Sequence, residues 1–473
     1  MNAELDQLRD RYRKFGQDHV FAFWDNLQQQ EREDLLQQLE AVDLEQLDGL
    51  VRGESHGDDW VALSRRAEPP KAVRLAERNA AGPNSLGITP EAARAEGIQA
   101  LREGKVAVLI TAGGQGSRLG FDKPKAMYPI GPVSKATLGQ IHIEKVLAAS
   151  EHYGAPVHLL LMTSPATHDD TLHYLEDNNR FGLPAEQLTV FCQGTMPAVD
   201  AETGKLLLAS RDALFRSPDG HGGTLAGLDS SGALDRLIQA GVEHLFYLQV
   251  DNPLVPICDP ELIGYHRLAK SELTSVAVAK QEPKDKLGNF AMVDDKMLVI
   301  EYSDFPDEVA ELRDADGGLK FWAGSIAVHI FDTAFLDRAR GEKDSLPIHI
   351  AHKKVPHIDA AGQAVKPSEP NALKFERFIF DLLPHAERPI VVEYGEADCF
   401  APLKNASGAP KDTPEYVQEL MTRQHRGWLA AAGVEVPDSA TVEISPRFAL
   451  DADLLAEKAG AIGNITGTTY LKP

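Results

Sequence analysis

The first 50 residues of the chain show apolar positions at steps of three and four, separated by Gln, Glu and Asp. The apolar residues of this pattern are Leu35, Leu36, Leu39, Val42 and Leu47. The spacing predicts amphipathic helices, because it places these side chains on one face. The pattern is short, so it favours a helical layer packed on the main domain over a coiled coil with a partner helix. The stretch from about residue 53 to residue 90 is rich in Gly, Pro and Ala and is predicted to be a connection.

From about residue 100 the pattern changes to short apolar runs that alternate with helical segments. Four of these runs predict buried strands, at residues 106–114, 157–164, 244–252 and 274–280. Strands that alternate with helices predict a mostly parallel sheet covered on both faces. Between about residues 285 and 335 the strands are closer together and more polar, which predicts an inserted antiparallel piece. The tail from about residue 400 predicts a helix followed by short strands.

Composition narrows the class of protein. Of the 473 residues, 43% are hydrophobic and 25% are charged, as in an average soluble globular chain. Asp and Glu outnumber Lys and Arg by 71 to 48, and the formal net charge of −23 argues against binding to nucleic acid or to an anionic membrane. The charged N-terminus lacks the apolar core of a signal peptide, and no apolar run approaches the roughly 20 residues of a membrane span. Together with three widely spaced cysteines, these features predict a cytoplasmic protein.

The sharpest candidate for chemistry is LITAGGQGSRLGFDKPKAMYPIG, residues 109–131. A predicted strand ends at Thr111, and the glycines that follow allow backbone N–H groups to approach an anion. The next glycine comes one position too late for a dinucleotide fingerprint, and no Gly-Lys-Ser/Thr follows. Arg118, Lys123 and Lys125 come after the glycines, and three cations this close suit a polyphosphate. The alternative is an ordinary strand-to-helix turn with solvated basic side chains.

Five further polar residues stand out from their surroundings. Asp251 ends an apolar strand, where it could hold Mg²⁺ or cap a helix. His221 lies in the turn SPDGHGG, where it could contact a sugar or a phosphate or be structural. Gln193 and Glu301 lie against apolar strands, so each needs a structural partner or a ligand. Lys404 lies in the apolar context FAPLKN, and the alternative for it is an ordinary solvated lysine.

These motifs together resemble the UDP-sugar pyrophosphorylase family, and they are closest to its UDP-N-acetylhexosamine branch. That branch carries Gly-Gly-x-Gly-[ST]-Arg-Leu-Gly followed by Pro-Lys-x-Met-Tyr, as residues 113–128 do. Further blocks follow in family order: GQDHVFAFW (16–24), QGTMPAV (193–199), PDGHGG (218–223), VDN (250–252), EYS (301–303), KPSEPNALKFERFIFD (366–381) and PLKN (402–405).

The resemblance implies an α/β fold of the nucleotide-diphospho-sugar transferase type, which is Rossmann-like and of GT-A type. This fold has a mixed, mostly parallel sheet, an N-terminal helical part and a small C-terminal domain. The expected boundaries are residues 1–100 for the helical region, 101–390 for the catalytic domain and 391–473 for the C-terminal domain.

The resemblance also implies a reaction, in which UTP and a sugar 1-phosphate give a UDP-sugar and pyrophosphate in the presence of Mg²⁺. The implied nucleotide contacts are Ala112, Gly113, Gly114, Gly116, Gln193, Met196, Pro197, Gly220 and His221. The implied sugar contacts are Glu301, Ser325, Phe378 and Phe380. Arg118, Lys125 and Lys404 would be the catalytic cations along the phosphates, and Asp251 would bind the metal ion.

Departures from the branch leave the sugar open. The branch usually has Asn where this chain has His221, and a His there is typical of UDP-glucose pyrophosphorylases. The branch reads Asn-Ala-Gly-Asn where residues 322–325 read Trp-Ala-Gly-Ser, so two amide side chains are missing. The first choice of sugar is N-acetylglucosamine 1-phosphate, and the alternative is glucose 1-phosphate or a broad range of sugars. A catalytically silent nucleotide-sugar sensor is disfavoured, because Arg118, Lys125 and Asp251 are all present.

Overall fold

The structure is a computed structural model, and it describes residues 2–53, 60–341 and 346–473. The chain packs into two compact units, each made of three separate stretches. The smaller unit consists of Met1–Asp59, Gly194–Gly223 and Leu346–Ile379, and the larger unit consists of Trp60–Gln193, Thr224–Ser345 and Phe380–Pro473. The three-part division expected from the sequence stays a prediction.

The larger unit is built on a ten-stranded sheet. Its strands are β1 (Ala72–Val73), β2 (Val106–Thr111), β3 (His158–Thr163), β4 (Leu188–Cys192), β5 (His244–Gln249), β6 (Leu273–Ala279), β7 (Gly288–Val293), β8 (Lys296–Ile300), β9 (Ala323–Asp332) and β10 (Ile390–Tyr394). The main order is β1-β10-β6-β9-β5-β2-β3-β4, and the hairpin of β7 and β8 joins β9 through β7. Only β9 runs antiparallel to its neighbours along the main order of described strands, which confirms the mixed, mostly parallel sheet.

The central strands are covered on both faces. Every residue from Val106 to Ile110 in β2 is buried, and so is every residue from His244 to Leu248 in β5. Successive side chains of a strand point to opposite faces, so both faces of the sheet are packed. The α-helices of this unit, counting one whose first residue lies in the smaller unit, are Trp60–Arg66, Leu75–Arg78, Pro90–Arg102, Leu138–Tyr153, His168–Asp177, Gly223–Ser230, Ala233–Gln239, Pro260–Leu268, Asp307–Ala310, Thr333–Arg340, Glu396–Cys399, Pro414–Ala431 and Ala452–Lys458.

The region predicted to be a connection contains regular structure. Trp60–Arg66 and Leu75–Arg78 are helical, and β1 pairs in parallel with β10, with Ala72 opposite Val391. The prediction was therefore wrong over this part. A two-residue edge strand has no periodicity of its own, because its pairing partner is far away in sequence. Residues 54–59 of the predicted connection lie outside the described residues.

The smaller unit packs the N-terminal helices against short strands. The helices are Asn2–Lys14, Gln29–Glu40 and Leu44–Val51. The strands are Thr195–Pro197, Val199–Asp200, Leu208–Ser210, Ala213–Leu214, Arg216–Pro218, His349–Lys353, His357–Ile358, Ala364–Val365 and Ala372–Glu376. Leu35, Leu39 and Leu47 are at most 4% exposed and share a core with Leu208 and Phe375. The apolar stripe is therefore buried within the chain itself, as the helical-layer prediction requires.

The tail of the larger unit has the elements predicted for it. A long helix, Pro414–Ala431, is followed by Val442–Ile444, which pairs in parallel with Thr469–Leu471. Within the described ranges, no helix is both long enough and apolar enough to cross a membrane.

Candidate nucleotide and metal site

The first glycine-rich turn begins where β2 ends. Ala112 is buried, and its N–H donates to a carbonyl of β3 at 2.7 Å, so the turn leaves the sheet just after this residue. The turn then folds back on itself. Gly116 N–H donates to Lys123 O at 2.9 Å, and Lys125 N–H donates to Gly114 O at 2.9 Å. These two bonds bring Lys125 beside the glycines.

The three glycines of this turn meet different surroundings. A Cβ on Gly116 would lie 2.7 Å from Phe121, so this glycine allows the turn to close tightly. A Cβ on Gly113 would lie 3.0 Å from the side-chain oxygen of Gln193. Gly114 is exposed, and no described atom lies within 4 Å of a Cβ placed there. Gly114 is therefore the position where an anion has most room to approach the backbone.

Gln193 and Ser164 lie against this turn. Gln193 is 8% exposed, and its N–H donates to Thr163 O at 2.8 Å. The Ser164 hydroxyl donates to Gly113 O at 2.7 Å. Sequence reasoning missed Ser164. Its signal was its position at the end of the apolar run VHLLLMTS, next to the strand that carries the glycines.

The structure brings Lys125 and Asp251 together across 126 positions of sequence. Lys125 Nζ lies 3.3 Å from Asp251 Oδ2, and the two side chains are only 18% and 12% exposed. Asp251 follows β5, which pairs in parallel with β2, so both residues emerge at the same edge of the sheet. Ligands bind at this edge in open α/β sheets.

Lys404 directly follows a residue whose backbone is hydrogen-bonded to the backbone of Asp251. Leu403 N–H donates to Asp251 O at 2.8 Å, and Lys404 N–H donates to Asp412 O at 2.9 Å. The Lys404 side chain is exposed. Burial raises the pKa of Asp412, and the charge of Asp251 raises it further, whereas Lys404 and Lys411 lower it. The charge of Asp251 therefore acts on Asp412, and no motif in the sequence identified this second carboxylate.

Two residues of the helix Leu138–Tyr153 bind backbone carbonyls of the loop that carries Asp251. Lys145 Nζ donates to Pro253 O at 2.6 Å and to Val255 O at 2.8 Å. His142 Nε2 lies 3.0 Å from Val250 O, one position before Asp251. Burial lowers the pKa of Lys145 to about 7. These two residues were also missed, because their partners are backbone carbonyls that no sequence motif identifies.

The donor set around Asp251 fits magnesium. Mg²⁺ is commonly held by one or two carboxylates together with phosphate oxygens of the substrate. Asp251 supplies a mostly buried carboxylate, Lys125 lies 3.3 Å from it, and the charges of Asp251 and Lys404 both act on the Asp412 carboxyl. Asp251 could therefore hold the metal ion, as the resemblance implies.

Arg118 is less closely tied to this group. It is exposed on the turn Ser117–Leu119. Within the part of the chain that the structure describes, no hydrogen bond or ion pair joins Arg118 to Lys125 or Asp251. Its predicted role along the phosphates stays a prediction.

Two of the predicted sugar contacts meet around Gly288. Gly288 of β7 pairs with Ser325 of β9. A Cβ on Gly288 would lie 3.4 Å from Glu301 Oε1 and 3.9 Å from Ser325 Cβ, so Glu301 and Ser325 face one small space. Phe380 is 6% exposed in the larger unit, whereas Phe378 belongs to the smaller unit.

The second glycine-rich turn, residues 219–223, lies in the smaller unit and wraps around Arg377. Gly222 N–H donates to Arg377 O, and Arg377 N–H donates to Asp219 O, both at 2.7 Å. Gly220 has a φ of +83°, and a Cβ there would lie 2.4 Å from Arg377 O. A Cβ on Gly222 would lie 2.6 Å from the carbonyl carbon of Arg377. The close approach of another backbone segment therefore requires these glycines.

His221 of this turn has structural partners in the segment that follows Arg377. Its ring stacks on Phe378 with centroids 5.3 Å apart, and its Nδ1 accepts a hydrogen bond from Ile379 N–H at 3.2 Å. Burial lowers the pKa of His221 to about 4, with a contribution from His349, so the ring is neutral near pH 7. Met196 and Pro197 lie nearby in the fold, on a strand paired with Arg216–Pro218. Contacts of these residues with a nucleotide stay predictions.

Comparison with known proteins identifies the UDP-sugar pyrophosphorylase class that the motifs resemble. Residues 69–453 match the family described as UTP–glucose-1-phosphate uridylyltransferase, and the chain belongs to this family. It is 35% identical over 448 residues to UDP-N-acetylhexosamine pyrophosphorylase-like protein 1 of Xenopus tropicalis, covering 92% of this chain and 86% of that protein. It is 33% identical over 477 residues to UDP-N-acetylglucosamine pyrophosphorylase of Saccharomyces cerevisiae, covering 97% and 98% of the two chains.

A solved structure supports the fold class directly. The uridine diphosphate N-acetylglucosamine pyrophosphorylase from Trypanosoma brucei, in complex with an inhibitor, superposes with a TM-score of 0.83 at 27% identity. The match covers 99% of this chain and 98% of that one. The family resemblance and the nucleotidyltransferase-like α/β fold predicted from the sequence are both confirmed.

Proposed function

We propose that this chain is a uridylyltransferase that converts UTP and N-acetylglucosamine 1-phosphate to UDP-N-acetylglucosamine and pyrophosphate. Family membership and the names of the relatives support this activity. The observation that carries the proposal is the 3.3 Å approach of Lys125 Nζ to Asp251 Oδ2 at the edge of the sheet where the glycine-rich turn lies. We further propose a cytoplasmic location.

The reaction requires little proton transfer. A phosphate oxygen of the sugar phosphate attacks the α-phosphorus of UTP, the bond from that phosphorus to the bridging oxygen breaks, and pyrophosphate leaves. The attacking oxygen is already anionic near pH 7, so no general base is needed. The protein must hold the two substrates in line and neutralise negative charge.

The residues of the larger unit are suited to these tasks. The exposed backbone at Gly114 gives the triphosphate room, and Lys125 and Lys404 balance its charge. Gln193, at the base of the same turn, has an amide that can hydrogen-bond the uracil edge. Mg²⁺ bound at Asp251 would neutralise phosphate oxygens and favour departure of pyrophosphate. The remaining nucleotide and sugar roles implied by the resemblance are part of the same proposal.

A glucose 1-phosphate activity is the second candidate. Ser325 offers a hydroxyl beside Glu301 where the branch has an amide, and a shorter group changes the donors and acceptors that face the sugar. The description of the matched family also names glucose 1-phosphate.

The test is pyrophosphate release with UTP, Mg²⁺ and a panel of sugar 1-phosphates, with Lys125→Ala as the control for contaminating activity. We expect the highest kcat/KM with N-acetylglucosamine 1-phosphate. A tenfold preference for glucose 1-phosphate, which corresponds to about 1.4 kcal/mol, would select the second candidate. No release with any sugar phosphate would overturn the enzymatic proposal.

A further inference from the structure

A separate cluster of metal-ligand side chains lies in the larger unit, at the opposite end of β5 from Asp251. His244 begins β5, and Asp332 ends β9 directly opposite it in the antiparallel register. His266 reaches the same place from the helix Pro260–Leu268. Two strands and a helix thus contribute one side chain each.

The two imidazole rings both lie within hydrogen-bond distance of one carboxylate oxygen of Asp332. His244 Nδ1 and His266 Nε2 each lie 2.9 Å from Asp332 Oδ1, and the three ligand atoms all lie within 4.8 Å of one another. The imidazole of His266 is fully buried, the imidazole of His244 is 8% exposed, and the Asp332 carboxylate is 31% exposed. The carboxylate is therefore the side from which solvent reaches the cluster.

A further hydrogen bond orients one of the rings. His266 Nδ1, the nitrogen that faces away from Asp332, lies 2.9 Å from the hydroxyl of Thr274, which is fully buried on β6. Metal-binding histidines in proteins typically have such a partner on the second nitrogen, because it fixes the tautomer and the ring orientation.

We propose that His244, His266 and Asp332 form a binding site for a divalent transition metal ion of the zinc type. Two imidazole nitrogens and one carboxylate form a donor set that suits Zn²⁺, and water can complete the coordination on the exposed side of Asp332. Bonds of about 2.1 Å in a tetrahedral site separate ligand atoms by about 3.4 Å. Each ring nitrogen would therefore lie about 0.5 Å farther from Asp332 Oδ1 than its present 2.9 Å. Mg²⁺ prefers oxygen ligands, so this site and Asp251 select different ions.

The first test uses the unmodified protein. Chelator-treated protein is titrated with Zn²⁺ and with Co²⁺ in excess Mg²⁺, and crystals grown with Zn²⁺ are measured for anomalous scattering at the zinc edge. We expect one Zn²⁺ per chain and an anomalous peak among His244, His266 and Asp332. No peak at this cluster, with or without Zn²⁺ bound elsewhere, would overturn the proposal and leave a hydrogen-bonded triad only.

A pair of matched variants tests the geometry. Thr274→Val removes the hydroxyl behind His266 and keeps the side-chain volume, so the zinc dissociation constant should rise by about tenfold or more. Ser275→Ala is the control, because it removes a neighbouring buried hydroxyl that contacts a different ring, His329 Nδ1, at 2.8 Å. Equal affinity for both variants would count against the site. The readout is metal binding, so it is independent of the proposed reaction.

Discussion

The turn at residues 113–116 and the turn at residues 219–223 both contain three glycines, yet these glycines have different neighbours. In the first turn, a Cβ on Gly114 would meet no described atom within 4 Å. In the second turn, a Cβ on Gly222 would lie 2.6 Å from the backbone of Arg377. The first turn is open at its centre, and the second is filled by another segment of its own unit.

The two turns show that glycine-rich composition has two physical causes. Glycine allows close approach to the backbone, and the approaching group is either a ligand or the chain itself. The charged side chains beside the two turns also differ. Lys125, close to the first turn, lies 3.3 Å from the Asp251 carboxylate at the carboxyl ends of the strands. At the second turn, the backbone of Arg377 packs against the glycines, and its guanidinium lies 3.9 Å from Asp219 Oδ2. We therefore expect substitution of Gly114 to affect activity and substitution of Gly222 to affect stability.

The largest effect on activity is expected from Lys125→Ala. Loss of the cation beside Asp251 should reduce kcat/KM by about 100-fold to 1000-fold, because a preorganised charge at the phosphates is lost. Circular dichroism should show that the chain remains folded. Lys123→Ala is the matched comparison, because it removes an exposed cation of the same segment, and it should reduce kcat/KM less than Lys125→Ala does. Near-normal turnover of Lys125→Ala in steady-state pyrophosphate release would contradict the assignment of an open ligand site.

The next largest effect on activity is expected from Lys145→Met, because Lys145 binds the loop that carries Asp251. This change removes the donor to Pro253 O and Val255 O and so loosens the loop that carries Asp251. The Mg²⁺ concentration for half-maximal rate should rise by about tenfold, as for other groups that orient a metal ligand. Lys145→Arg should restore part of the affinity for Mg²⁺.

The control for Lys145 is another lysine that donates to a proline carbonyl. Lys135 Nζ lies 3.3 Å from Pro132 O at the surface, so Lys135→Met should leave Mg²⁺ activation unchanged. A Lys145→Met protein that loses thermal stability but keeps its Mg²⁺ dependence would show that the lysine serves packing alone.

In the filled turn, Gly222→Ala should destabilise the protein by about 1–3 kcal/mol, because the new methyl group overlaps backbone atoms that cannot move aside easily. Urea unfolding measures this loss. Gly114→Ala is the matched change in the open turn, and its free energy of unfolding should change by about 0.5 kcal/mol or less. Its turnover should fall, because the methyl group occupies the space left for a phosphate. Equal destabilisation by the two substitutions would remove the distinction between the turns.

The sequence predicted the elements and most of the open site. The apolar runs identified β2, β3, β5 and β6, and the strand ends identified Asp251 and the first glycine turn, because ligand-binding residues follow buried strands in a regular way. The basic residues after the glycines included Lys125, and the apolar surroundings of Gln193 marked it as a polar residue that needs a partner or a ligand. The structure places Lys125 beside Asp251 and Gln193 beside Gly113.

The features that could not be predicted depend on long-range contacts, which leave no local pattern in the sequence. Lys145 and His142 bind backbone carbonyls, and any residue type can supply a carbonyl at the other end. The packing of Gly220 and Gly222 against the backbone of Arg377 could not be predicted either, because Arg377 lies more than 150 positions away in the sequence. Strand β1 was missed for the same reason, because its pairing with β10 is entirely long-range.

The smallest expected effect concerns pH and His221 of the filled turn. Burial lowers the pKa of His221 from 6.5 to about 4, so between these values the unfolded chain binds a proton that the folded chain does not. Stability must therefore fall as the pH is lowered through this window. His221→Asn lacks this contribution, so the Tm difference between wild type and variant should shrink between about pH 7 and about pH 4.5. Other buried histidines contribute equally to both proteins and cancel in the difference. Phe378→Leu, which keeps the histidine but removes the stacked ring, should retain the wild-type slope. A Tm difference that stays constant with pH would mean that His221 is accessible to protons in the folded state, and the second turn would then be open as well.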